Sequence, residues 1–133
     1  MKVMLVEDNK FIRDLVSQLL ESLGHNILMA TDKETACDII QQQCRGIDLI
    51  LTDNDLSAPD EGLEIIDFIQ GIVGFFGINN IPIILMSGKD KSAAAENAGV
   101  EFLSKPFSLS ELKSAIQRVV TKKEQHIHTY DNK

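Results

Sequence analysis

Four short, almost unbroken aliphatic runs constrain this chain more than anything else in it: Val3 to Val6, Asp48 to Thr52, Ile81 to Met86 and Val100 to Leu103. A weaker fifth run is Asn26 to Met29. A strand with one wet face alternates apolar and polar residues; runs without alternation suit strands covered on both faces, as in parallel sheets layered between helices. The segments between the runs carry helical periodicity. Phe11, Leu15, Leu19 and Leu23 share one face and stop at Gly24. Thr31 with Glu34, and Ser108 with Glu111, form capping-box patterns ahead of Ala36, Ile39 and Ile40 and of Leu112, Ile116 and Val119. Another helix is expected to start near Glu61, and a short Ala-rich one to run from about Asp90 to Asn97. Strand and helix alternate five times, which implies an α/β fold: a doubly wound, three-layer domain with a five-stranded parallel sheet and right-handed crossovers. Ligands of such a sheet belong at the carboxyl ends of its strands.

A chain of 133 residues, 44% of them hydrophobic, is long enough to bury one core. One domain is expected over residues 1–121. The polar stretch 122–133 lacks apolar periodicity and reads as a disordered tail. A formal net charge of -7, with Lys122-Lys123 as the one short basic cluster, excludes nucleic acid as a direct partner. Cys37 and Cys44 fall in one helical-looking stretch, which holds them roughly 10 Å apart, too far for a disulfide. Free thiols, and an amino terminus with no secretory pattern, point to the cytoplasm. Ile65 to Ile78 is interrupted by Asp67 and Gln70 and is too short to insert in a membrane. Gly71 to Asn80 reads as a long connection that buries Phe75-Phe76, and His126 and His128 as tail residues rather than metal ligands.

The chemistry collects at the strand ends. The first strand delivers Glu7-Asp8 and the third Asp53, so three carboxylates should meet at one edge. Their repulsion is costly without a cation, and oxygen ligands of this kind suit Mg²⁺. The fourth strand ends in Met86-Ser87-Gly88, which adds a hydroxyl, and the fifth in Ser104-Lys105-Pro106, which adds a cation. Nucleophile, metal site, hydrogen-bond donor and charge stabiliser are the parts of a phosphoryl-transfer site.

Val6-Glu7-Asp8-Asn9, Asp48 to Asp53, Ile84 to Gly88 and Phe102 to Phe107 together resemble the strand-end motifs of response-regulator receiver domains of the stand-alone, chemotaxis type. The resemblance covers roughly residues 1 to 120 and implies the flavodoxin-like strand order 2-1-3-4-5. It implies that Asp53 is the phosphoacceptor, that Asp8 and Asp53 ligate Mg²⁺, and that Glu7 holds its waters. The backbone carbonyl of Asp55 is implied as a further ligand. Ser87 would bond the phosphoryl oxygen, Lys105 would pair with it, and Phe102 would change rotamer as the switch aromatic. The implied donor is a phosphohistidine on a sensor histidine kinase or histidine phosphotransfer protein, and the signal would leave through a downstream effector protein. Such a chain is not an enzyme beyond assisting its own phosphorylation and dephosphorylation.

One departure lies after Asp53. The family places a proline four residues on and a glycine eight on; here Ser57 stands at the first place and Gly62 is nine on, as if one residue were inserted. Two rival readings stand beside this one. Asp53-Asn54-Asp55-Leu56-Ser57 also resembles the first motif of haloacid-dehalogenase-type phosphatases, though that family places it on the first strand and needs acidic ligands after the lysine. The other rival is a receiver-like interaction module that works without phosphorylation.

Overall fold

The computed structural model describes the backbone of residues 1–131 and the side chains of residues 1–123. Strands β1 (Lys2–Val6), β2 (Asn26–Ala30), β3 (Leu49–Asp53), β4 (Ile83–Ser87) and β5 (Glu101–Ser104) alternate with helices α1 (Lys10–Ser22), α2 (Lys33–Gln43), α3 (Glu61–Phe76), α4 (Ser92–Ala98) and α5 (Leu109–Asp131). All strand pairs are parallel, in the order β2-β1-β3-β4-β5. This is the flavodoxin-like order expected, and it reverses direction between β1 and β3, where a crevice must open.

Every residue of β3 and β4 is buried, which is why their sequences do not alternate. Their side chains nonetheless point to two separate cores. Val3, Leu5, Leu49, Leu51, Ile84 and Met86 pack with Val16 and Leu20 of α1 and with Leu112, Ala115 and Ile116 of α5. Met4, Val6, Ile50 and Leu85 pack instead with Ile40 of α2, Ile65, Ile66 and Ile69 of α3, and Ala95 of α4. Each fully buried leucine or isoleucine contributes about 1.5–3 kcal/mol, so the two layers supply the favourable side of folding. The register then sets the functional edge: Val6 is level with Thr52, Asp53 with Met86, and Ser87 with Ser104. Four strands therefore finish at the same height.

Several expectations change in detail. On α1, Phe11 is 76% exposed and Leu15 47% exposed, whereas Leu19 and Leu23 pack as expected, together with Ile12, Val16 and Leu20. A four-residue step advances about 40° beyond a full turn, so the row that starts in solvent at Phe11 drifts onto the buried face only by Leu19 and Leu23. The cap of α2 is Asp32, whose carboxylate accepts the Thr35 N–H at 2.7 Å, rather than Thr31. The Ser108–Glu111 box forms as expected, with two reciprocal bonds of 3.1 Å. Helix α3 continues to Phe76, so the connection to β4 is shorter than expected and Phe75 is 82% exposed on the helix end rather than buried. Helix α5 runs to Asp131, through most of the stretch read as a tail. Lys122 to Gln125 are good helix formers and need no apolar face to extend a helix that is already nucleated. The side chains of His126 and His128 lie outside the described residues. Cys37 and Cys44 are both free. Among the described residues, no helix is long and apolar enough to cross a membrane.

Candidate functional site

Apart from Ser17 on α1, the buried polar residues among those described are concentrated at one place. Glu7, Thr52, Asp53, Asn54 and Ser87 are all buried, and all stand at the carboxyl ends of β1, β3 and β4. Backbone bonds fix the ends of these strands to one another. The Glu7 N–H donates to Ala30 O at 3.0 Å, the Asn54 N–H to Met86 O at 2.8 Å, and the Lys105 N–H to Ser87 O at 2.8 Å.

Glu7, Asp8 and Asp53 each offer a carboxylate oxygen, and the three oxygens lie within 4.8 Å of one another. Asp8 is exposed and Glu7 fully buried, so the cluster opens to solvent on the Asp8 side. Lys105 reaches into it from β5: its Nζ is 2.6 Å from Glu7 Oε1 and 3.2 Å from Asp53 Oδ1. Asn9 closes the other oxygen of Glu7, donating its N–H at 3.3 Å before its own side chain caps α1 at Ile12 N. Arg13 donates one turn into α1 to the carbonyls of Glu7 (3.1 Å) and Asp8 (3.3 Å) and so ties the β1–α1 corner to the helix.

Burial pushes the carboxyl groups of Glu7 and Asp53 up from their ordinary values, against the opposing pull of Lys105. Burial pulls the Lys105 ammonium down, but its bond to Glu7 and the charges of Asp53 and Glu7 outweigh this and leave it raised. One cation thus faces three carboxylates. An edge built this way carries excess negative charge, and an all-oxygen donor set suits a hard divalent cation.

The other expected residues fall around this centre. The Ser87 hydroxyl, fully buried, accepts the Lys89 N–H at 3.0 Å, which leaves its own proton free to donate. Phe102 on β5 is half-buried against the core beneath α3 and α4. The carboxylate of Asp55 is directed into its own loop, accepting from Asn54 Nδ2 at 3.3 Å and from the Asp60 N–H at 3.2 Å, and is not part of the acidic cluster. Gly62 explains how the longer loop closes. A Cβ there would lie 2.4 Å from Asp53 O and 2.7 Å from Asn54 Cα, so only glycine lets α3 abut the end of β3. Asn54, Asp60 and Arg13 escape a reading of strand-end motifs. The signal for Asn54 is a polar residue where the strand has not yet left the core; nothing in the sequence singles out the other two.

A family model described as response regulator receiver domain matches residues 3–117. Among curated relatives, the two-component response regulator-like protein APRR3 of Arabidopsis thaliana is 32% identical over 90% of this chain, and the transcriptional regulatory protein YxdJ of Bacillus subtilis is 30% identical over 88%. The chain spans only 24% and 51% of the lengths of these two relatives. Of solved structures, a response regulator receiver domain protein from Clostridium thermocellum superposes with a TM-score of 0.80, covering 93% of this chain and 97% of that one at 24% identity. The receiver domain of the hybrid histidine kinase CckA superposes at 0.71 with 26% identity, covering 89% and 97%.

Proposed function

This chain belongs to the family of response regulator receiver domains, and from that premise we propose that it accepts a phosphoryl group on Asp53 and thereby switches a protein-binding surface. The observation that carries the proposal is the cluster of three carboxylates, two of them bridged by Lys105, an arrangement that has each part a phosphoryl transfer requires. In the transfer, an Asp53 oxygen forms a bond to phosphorus as the P–N bond of a phosphohistidine breaks, and the departing imidazole takes up a proton. Asp8 and Asp53 would hold Mg²⁺ together with the Asp55 carbonyl, while Glu7, already bound to Lys105 through one oxygen, would hold the waters of the ion. Mg²⁺ supplies neutralisation of the charge spread over the phosphoryl oxygens.

The residues of the chain do the rest. Lys105 screens the incoming charge from Glu7 and Asp53. Ser87 can donate to a phosphoryl oxygen while still holding Lys89, which draws the β4–α4 loop inward. Phe102 follows into the space this leaves, so β4, α4 and β5 form the altered surface. The donor is a sensor histidine kinase or phosphotransfer protein, the reader a downstream effector protein, and the compartment the cytoplasm. The domain is a phosphoacceptor rather than an enzyme with a substrate of its own. Neither nucleic-acid binding nor membrane insertion is part of this reading.

Incubation with acetyl phosphate or phosphoramidate and Mg²⁺ should add one phosphoryl mass per chain, and Asp53→Asn should abolish it because an amide is a poor nucleophile. Repeated turnover of p-nitrophenyl phosphate, stopped by Asp55→Asn, would replace this reading with the phosphatase.

A further inference from the structure

Asn54 follows Asp53 directly and is fully buried. Its backbone is pinned on both sides, donating to Met86 O at 2.8 Å and accepting the Gly62 N–H at 2.9 Å. Between those two points the loop has to dispose of its extra residue, and it does so around the Asn54 side chain. Nδ2 donates to Asp60 Oδ1 at 2.9 Å and to Asp55 Oδ1 at 3.3 Å, and Asp60 in turn donates its N–H to Asp55 Oδ1 at 3.2 Å. Asp60 takes the left-handed backbone, φ 62°, which aspartate tolerates better than most side chains. Lys91, just ahead of α4, comes within 3.3 Å of the same Asp60 oxygen.

The far side of the amide is the informative one. Asn54 Oδ1 is buried and has no hydrogen-bond partner among the described residues. Leaving a buried acceptor unmade is costly, and a leucine of similar size would remove the cost. The amide oxygen therefore contributes nothing to stability. With a carboxylate oxygen facing each of its two N–H groups, the amide serves as a donor.

We infer that Asn54 is a positioning residue for the phosphoryl-transfer site: its amide gathers the carboxylates of Asp55 and Asp60 into the loop and so holds the Asp55 backbone against Asp53 and the cation-binding edge. This rests on the receiver reading above. It also assigns the Asp55 carboxylate to the loop, which removes it as a base for water attacking the phosphoryl group.

The test separates metal affinity from stability. In chelator, Asn54→Leu should melt at or above the temperature of the wild type, while its Mg²⁺ dissociation constant, from amide shifts in a Mg²⁺ titration, should rise on the order of tenfold, the usual penalty for losing an outer-shell partner. Asp60→Gly relieves the left-handed backbone and removes the acceptor, so it should weaken Mg²⁺ similarly. The double variant should bind no more weakly than the worse single one, because both remove the same bond. Unchanged Mg²⁺ affinity in Asn54→Leu, losses that add, or a loss that merely tracks a lower melting temperature would overturn the assignment. If Asn54→Leu does not fold, Asp60→Gly decides it alone, by the same affinity and melting criteria. A wild type that shows no Mg²⁺ response overturns the metal site itself and the inference with it, whereas a responding wild type beside an unaltered variant overturns only the role of Asn54.

Discussion

The two ends of the same five strands are built on opposite terms. At the amino end the chain closes its own backbone bonds: the Asp48 N–H donates to Lys2 O, the Asn26 N–H to Met1 O, and the Lys2 N–H to the Asp48 carboxylate, each at 2.8 or 2.9 Å. A cavity of about 470 Å³ opens there, lined by Ile69, Ile78, Ile81, Val100 and Val119 along with surface amides and lysines. At the carboxyl end lie buried acids, an unpartnered amide oxygen and a glycine that tolerates no side chain. This hollow is at the end without the chemistry. In this fold the charge that the core is forced to accept marks the site better than concavity does.

The sharpest way to stress that contrast is steric. Gly62→Ala drives a Cβ into the backbone of Asp53 and Asn54, where nothing flexible can give way. It should cost about 3 kcal/mol, read by urea unfolding; a loss under about 1 kcal/mol would show that the carboxyl edge is less tightly closed than described.

Next in size is the removal of a carboxylate. In chelator Asp8→Ala should stabilise the fold, by on the order of 1 kcal/mol and a few degrees of melting temperature, because it relieves repulsion with Glu7 and Asp53. The same variant should lose the thermal stabilisation that Mg²⁺ gives the wild type. A neutral substitution at the amino edge should do neither.

The acids should also give the apo protein a pH signature of inverted sign. The Asp53 carboxyl is raised by burial, so its contribution to stability is fully present below its unfolded value and is lost as pH rises through the raised folded value. Asp53→Asn cannot ionise. In chelator its advantage over the wild type should therefore be largest at neutral pH and shrink on acidification through the raised folded value, as followed by thermal melts. Asp32, lowered by the Thr35 backbone bond at the start of α2, should behave conversely: the difference between wild type and Asp32→Ala is present at neutral pH and vanishes in acid.

The smallest effect is a control within the helix that carries Gly62. Gly74 lies on the exposed face of α3 with nothing near its missing Cβ. Gly74→Ala should raise stability by about 0.5–1 kcal/mol and leave Mg²⁺ affinity unchanged. Two glycines in one helix then give opposite signs, set by whether the added Cβ meets the end of β3 or open solvent.

Much of this was legible from the residues because strands buried on both faces cannot hide. The runs at Val3, Asp48, Ile81 and Val100 announce the sheet, and residues that interrupt such runs at their ends announce the site: Glu7, Asp53, Ser87 and Lys105 all sit where apolar sequence stops. What stayed hidden depends on direction rather than residue type. A helical row of leucines and a phenylalanine does not say which side faces the sheet until the sheet exists, hence Phe11 and Leu15 in solvent. Asp60 and Lys91 are ordinary surface residues until the β3–α3 and β4–α4 loops bring them together. The continuation of α5 past Thr121 is hidden because Lys122 to Gln125 favour a helix through propensity alone, with no apolar stripe to signal it.

The central claim is that the carboxyl edge receives a phosphoryl group on Asp53, and the most direct test is to locate that group. Protein treated with a panel of phosphohistidine donors and small acyl-phosphate or phosphoramidate donors, with Mg²⁺ binding independently demonstrated, is digested in acid and mapped by mass spectrometry. The account predicts one phosphoryl group per chain, on Asp53, formed with Mg²⁺ and absent in chelator. A phosphoryl group on any other residue, or none at all from the full panel while Mg²⁺ is bound, would contradict it.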